Sequence, residues 1–204
     1  MNVIQLEPDD TETVVDVLCD AFHDYPVMRY VLGDTPHYDR HLRTLVGFFA
    51  AARSLRNEPM LAAEDEGQVV GVAIMTLPGE RPSPAALDAR REATWGEIGP
   101  AARTRYEAHG AATRPFTVDR PHHHLNMIGV CRSHAGRGVA RVLMDAVHEL
   151  AAADPSSCGV TLSTEDEQNV RLYEHFGYQL IGHARVADAF DTWVFFRPRQ
   201  QQKG

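Results

Sequence analysis

The sequence predicts a mixed α/β fold organised as one domain, and three observations lead there. Apolar stretches without helical period alternate with stretches whose apolar residues recur every three and four positions, the signs of buried strands and of helices. Apolar residues make up 44% of 204 residues, enough for a substantial core in one domain. Between His122 and Leu150 the two patterns follow one another directly, as strand, glycine turn and helix.

In chain order, Asn2–Leu6 reads as a first strand. Asp9, Asp10 and Thr11 supply caps and first-turn carboxylates for a helix with Val14, Val15, Leu18, Ala21 and Phe22 on its apolar face. A loop, Phe22–Pro26, and a helix from about Asp39 to Arg53 follow. Met60–Ala63 and Gln68–Leu77 form a hairpin around the turn Glu64-Asp65-Glu66-Gly67. Residues 78–120 leave the strand pattern, with five prolines, several arginines and helical stretches at Pro84–Trp95 and Pro100–His109. Leu125–Val130 is the next strand. Beyond the polar turn Arg132–Ala135, Val142, Leu143, Ala146, Val147 and Leu150 line one helix face. Thr161–Thr164 closes another strand, and Thr164 with Glu167 three residues on predicts a capping box for a helix ending at Gly177. Gln179–Val186 and Thr192–Phe196 read as a strand pair, and Arg197–Gly204 as a polar, frayed tail.

Composition narrows the function. A formal charge of -8 argues against a nucleic-acid surface; it suits a cationic amine substrate and, equally, plain solubility. The longest apolar run, Leu45–Ala52, has eight residues and includes Gly47, too short to span a membrane. Met1–Leu6 lacks a basic start followed by an apolar block, so no signal peptide is read there. Cys19, Cys131 and Cys158 are too few and scattered for a disulfide framework, so a reducing cytoplasm is expected.

The chemistry concentrates at the glycine turn. A helix N-terminus leaves backbone N–H groups unpaired and partly positive, and an anion belongs there. Gly136 and Gly138 let the backbone approach a phosphate without a Cβ between them, Ala140 is nearly as small, and Arg137 adds a charge. A plain turn into a packing helix is the competing reading. The spacing fits neither a Rossmann turn nor a P-loop.

Ala135-Gly136-Arg137-Gly138-Val139-Ala140, with Val130 closing the preceding strand, resembles the pyrophosphate-binding motif of the GNAT superfamily of acetyl-CoA-dependent N-acetyltransferases. That motif runs Gln or Arg, two residues, Gly, one residue, Gly or Ala. Ala135 departs from it, which removes one side-chain contact to the pyrophosphate and leaves the backbone cradle. Asn169, Tyr173 and Phe176-Gly177-Tyr178 resemble the family's second signature, in the right order and at the right separation. The two segments span residues 122–183.

The resemblance implies a single N-acetyltransferase domain over residues 1–204, with a mixed, mostly antiparallel sheet, a splayed central strand pair and flanking helices. Acetyl-CoA is the implied co-substrate, with no metal. Its contacts would fall at Ile128, Gly129, Val130, Ala135, Gly136, Arg137, Gly138, Val139, Ala140, Asn169 and Tyr173. Asn169 would bind the pantetheine arm or cap its helix. In the family, the region of the Phe22–Pro26 loop and the 39–53 helix walls the acceptor pocket, which makes Tyr25, Tyr30 and Phe49 candidates to line it; core packing is the alternative for each. Residues 78–120, the least family-like part, would be an insertion facing the acceptor or a covering helix pair.

Fourteen residues before Gly138, where histone-type members carry the general-base glutamate, stands His124, with His122 two residues earlier. Arylalkylamine N-acetyltransferases carry a histidine pair in those places. An imidazole with a reference pKa of about 6.5 can take the proton that keeps an amine from attacking. The resemblance gives the N–H of Val130 the task of stabilising the oxyanion, and Tyr173 that of protonating the departing thiolate. Cys131, with no base beside it, reads as a packing residue. Adjacent strand residues point to opposite faces, so at most His122 and His124 of the His122-His123-His124 run act together, too few for a zinc site.

The function expected is transfer of the acetyl group of acetyl-CoA to a primary amine, probed by the sequence only as far as a small-molecule acceptor. No nucleic-acid or membrane partner is expected, and a homodimer stays open. The alternative is a non-catalytic module of this fold that binds acyl-CoA or a small ligand.

Overall fold

A computed structural model describes residues 1–199. It contains a seven-stranded sheet in the order β1-β2-β3-β4-β5-β7-β6. The strands are β1 (Asn2–Gln5), β2 (Met60–Asp65), β3 (Gln68–Thr76), β4 (His123–Val130), β5 (Gly159–Thr164), β6 (Gln179–Val186) and β7 (Phe190–Pro198). Neighbours pair antiparallel except β4 and β5, which run parallel. That exception follows from the chain: the crossover from β4 to β5 is the helix α6 (Val139–Ala153).

Two cores sit on the two faces. On one, α1 (Thr11–Phe22), α2 (Pro26–Leu32) and α3 (Tyr38–Leu55) bury Val14, Leu18, Leu42, Leu45 and Val46 against Val72, Ile74 and Met127. On the other, Val139, Leu143 and Val147 of α6 pack on Ala73, Met75, Leu125 and Leu162, beside Tyr173 of α7 (Gln168–His175). Close approach depends on glycine. A Cβ on Gly129 would lie 2.8 Å from Ala21 Cβ and 3.0 Å from Leu18 Cδ2, and one on Gly71 would lie 2.7 Å from Val139 Cγ1. Gly129, read from sequence only as a cofactor contact, is thus also where α1 rests on β4.

Residues 78–120 form two helices, α4 (Ala85–Ile98) and α5 (Pro100–Thr113), each longer than its sequence pattern suggests. Trp95, Ile98 and Ala102 join the core around α2 and α3. A short 3-10 turn, Arg114–Phe116, anchors the far end: the Phe116 ring lies against β6 where Gly182 has no side chain.

Three expectations need correction. The Thr164–Glu167 capping box does not form. Glu167 is itself the N-cap of α7 and makes no side-chain cap, while the Thr164 hydroxyl accepts from the Asp166 N–H at 3.3 Å and closes a turn one step earlier. The tail begins later than read, because β7 runs to Pro198 and the Arg199 N–H donates to the Cys158 carbonyl at 2.8 Å. Residues 200–204 lie outside the described residues. Finally, α2 is a separate helix begun by Pro26, whose fixed φ suits a first helical position. Among the described residues, no helix is long and apolar enough to cross a membrane.

Candidate active site

The central strands part. β4 and β5 share only the register pairs His123↔Val160 and His124↔Thr161, and beyond these β5 keeps only its pairing with β7. Asn126 has no partner opposite it, since β3 steps from Met75↔Leu125 to Ile74↔Met127. Beyond that bulge the alternation is fixed by Cys131, whose N–H donates to the Val70 carbonyl at 2.8 Å. Gly129 and Met127 share that direction, so the N–H groups of Ile128 and Val130 face the gap that β5 has left.

At the C-terminal end of β4 the chain turns through Arg132–His134 into α6. Gly136 (φ 76°) and Gly138 (φ 82°) adopt left-handed backbone, and a Cβ on either would meet nothing within 4 Å. Gly138 is the N-cap, and no side chain caps the helix. The first amides of α6, from Val139 to Arg141, find no acceptor among the described residues. The first turn holds no acidic residue but does hold Arg141, with Arg137 exposed just before it. Cations at a helix N-terminus oppose its dipole, and an anion bound there relieves that opposition. The Arg137 N–H is engaged with the His134 carbonyl at 3.3 Å, so its contribution to such a site is its guanidinium, 4.0 Å from Asp65.

A cavity of about 770 Å³ fills the space between the parted strands and the helices α4 and α5. His122, His124, Ile128, Asn169, Tyr173, Tyr25 and Phe49 line it. Tyr30 does not; its ring packs edge-on against Phe190 at 5.1 Å, beside the core around α2 and α3. Alternation along β4 sends His123 the other way, fully buried with Nδ1 2.9 Å from Ser157 Oγ. Among the described residues no cluster of His, Cys, Asp or Glu could hold a metal.

His124 stands where the strands begin to part, its Nδ1 2.9 Å from Thr161 Oγ1. Burial, then the positive charges of His122 and Arg53, pull its pKa down to about 4, so the ring is neutral at neutral pH. Tyr173 is 8% exposed, packed against Tyr178 and Phe195, and its hydroxyl has no hydrogen-bond partner among the described residues. Burial and the nearby Glu165 and Asp166 carboxylates push its pKa up, so the phenol keeps its proton. Asn169 does not cap α7; its Nδ2 reaches the Thr164 hydroxyl at 3.4 Å. Cys131 is half-buried with its thiol pKa raised by burial, the behaviour of a packing residue.

Several cavity residues escaped the sequence reading. Glu165, 8% exposed, follows β5 directly: its Oε1 accepts from Thr192 Oγ1 at 2.9 Å and lies 3.0 Å from His109 Nε2 of α5. Its N–H donates to Tyr25 Oη, which also bonds the Thr164 hydroxyl at 2.7 Å. The cue was present, a carboxylate at a strand's C-terminal end, but its partner His109 lies on α5, 56 positions away in sequence. Arg53, Arg56 and Arg91 also line the cavity.

Residues 16–178 match the Acetyltransferase (GNAT) family, and the chain belongs to it. No curated protein matches at a significant level. Among solved structures, a histone acetyltransferase HPA2 and related acetyltransferase from Corynebacterium glutamicum is similar at TM-score 0.72 and 20% identity, covering 98% of both chains. The ribosomal-protein-S18-alanine N-acetyltransferase of Escherichia coli aligns at TM-score 0.60 and 14% identity, over 98% of this chain and 94% of that one. An N-acetyltransferase from Staphylococcus aureus Mu50 aligns at 0.57 and 15%, over 98% of each. At these identities the likeness is one of fold.

Proposed function

We propose that the protein transfers the acetyl group of acetyl-CoA to a primary amine of a small molecule. The observation that carries this is the parting of β4 and β5, which leaves amides facing a cavity at the same end of the sheet where α6 presents its uncapped N-terminus. The fit to acetyl-CoA rests on this chain's own features. The open space beside two left-handed glycines suits a diphosphate, and the gap between the strands suits an extended pantetheine arm held by backbone hydrogen bonds. Bound there, acetyl-CoA supplies the activated thioester.

The protein's residues then divide the work. Val130 and Ile128 present N–H groups toward the place where negative charge develops on the carbonyl oxygen. Neutral His124 accepts the amine's proton, directly or through water; the desolvation that depresses its own pKa also lowers that of an alkylammonium beside it. Tyr173, held protonated by burial, gives its proton to the leaving thiolate. Glu165 offers a carboxylate to the incoming ammonium.

Release of free CoA thiol, followed with acetyl-CoA and a panel of amines, tests this. Amine-dependent release is expected. Tight acetyl-CoA binding with no release for any amine would instead favour a ligand-binding module.

A further inference from the structure

On the acceptor side of the cavity, the end of α3 and the face of α4 bring three guanidiniums together. Arg53, 7% exposed, forms a close ion pair with Glu58 at 2.8 Å, and its Nη1 donates to Asn126 Oδ1 at 2.6 Å. Arg91 is tied to Asp88 at 2.7 Å. Arg56 is different: it closes α3, lines the cavity, makes no ion pair among the described residues, and its Nε is buried without a hydrogen-bond partner. The positive charge of Arg56 is felt by Arg53 and by Asp88, so the groups share one neighbourhood. Three cations against the two carboxylates Glu58 and Asp88 leave one positive charge over, inside a protein of net charge -8.

We infer that Arg56, supported by Arg53 and Arg91, forms a subsite for the carboxylate of the acceptor, so that the substrate class is an amine carrying a carboxylate. This rests on the acetyl transfer proposed above. One surplus charge matches a carboxylate rather than a phosphate dianion, and a guanidinium that makes no ion pair among the described residues can hold a carboxylate by charge-assisted hydrogen bonds. The cavity lining carries both signs of charge. Glu165, whose Oε2 makes no hydrogen bond among the described residues, is an acidic group for the ammonium, Arg56 a basic one for the carboxylate, and Phe49, Leu87 and Trp95 add apolar surface to the lining. An amino acid with an apolar or aromatic body fits that combination of groups.

The test compares matched acceptors that differ only in that charge, phenylalanine with phenylalaninamide and aminomethylbenzoate with aminomethylbenzamide, by kcat/KM at saturating acetyl-CoA. The carboxylates are expected to lead by about tenfold or more, the size of a charge-assisted hydrogen bond. In Arg56→Ala the ratio is expected to fall towards one, and in Arg56→Lys to stay between, since lysine keeps the charge without the planar fork. The wild-type comparison needs no variant, so a misfolded substitution leaves the test intact. Equal kcat/KM within both pairs would overturn the inference while acetyl transfer stood. Should acetyl-CoA bind and no amine be acetylated, the transfer reading fails, and calorimetric titration with the same pairs decides the subsite: preference for the carboxylates sustains it, equal binding overturns it.

Discussion

His124 and Tyr173 reach the cavity from different elements, and their environments push both toward the neutral form. Each direction has a kinetic consequence. With a pKa of about 4, His124 is free base throughout the neutral range, so its contribution to the rate is expected to be flat above about pH 6 and lost as pH falls through 4. His124→Ala should lower kcat by roughly 100-fold, within the usual range for general-base loss, measured as CoA thiol release. Full activity of that variant at every pH would remove His124 from the mechanism. Tyr173→Phe keeps the ring that packs on Phe195 and deletes only the hydroxyl, so kcat should fall by roughly 10- to 100-fold with the melting temperature nearly unchanged. Because burial raises the phenol's pKa, no alkaline limb below about pH 9 is expected from Tyr173. The family resemblance singled out His122, His124 and Tyr173, and all three line the cavity. It did not show Glu165, whose partners His109 and Thr192 are distant in sequence, or Arg56, which stands out only by the cavity it lines.

Among the elements, the strand-turn-helix unit of β4 and α6 was legible because its signals are local: an apolar run, glycines that take positive φ, then a helical period. The hairpin of β2 and β3 was legible for the same reason. The Thr164–Glu167 cap was misread because the threonine hydroxyl found a nearer donor, the Asp166 N–H. Any side chain at Gly138 would strain its left-handed backbone by about 1–2 kcal/mol. Gly138→Val is therefore expected to weaken acetyl-CoA binding by about tenfold, read by calorimetry. Gly129→Ala acts differently: its Cβ collides with Ala21 and Leu18, pushing α1 off β4 at a cost of roughly 1–3 kcal/mol, visible as a lower denaturation midpoint. A variant as stable as the parent would show that α1 does not rest on this strand as described.

At the scale of the whole molecule, the α/β class and the splayed pair followed from patterning and family resemblance, whereas the part of the cavity wall that α4 supplies did not. Helices α4 and α5 carry few regularly spaced apolar residues, and only tertiary packing shows that Trp95 turns inward with Leu87. Four imidazoles, His41, His123, His124 and His148, have pKa values lowered chiefly by burial, His124 and His148 to about 4. The unfolded chain takes these protons near the ordinary histidine value while the folded one resists, so stability is expected to fall as pH drops from about 6.5 toward 4. A melting temperature lower by roughly 5 °C or more at pH 5 than at pH 7 is the expected result, and an unchanged one would contradict the burial of these rings. Everything said about catalysis depends on the uncapped amides at the start of α6 holding the diphosphate of coenzyme A. Calorimetric titration of the wild-type protein with acetyl-CoA, beside acetyl-pantetheine that lacks the diphosphate, measures that directly. Binding of acetyl-CoA at least about 100-fold tighter than the truncated thioester is expected; equal affinity, or none for acetyl-CoA, would contradict it.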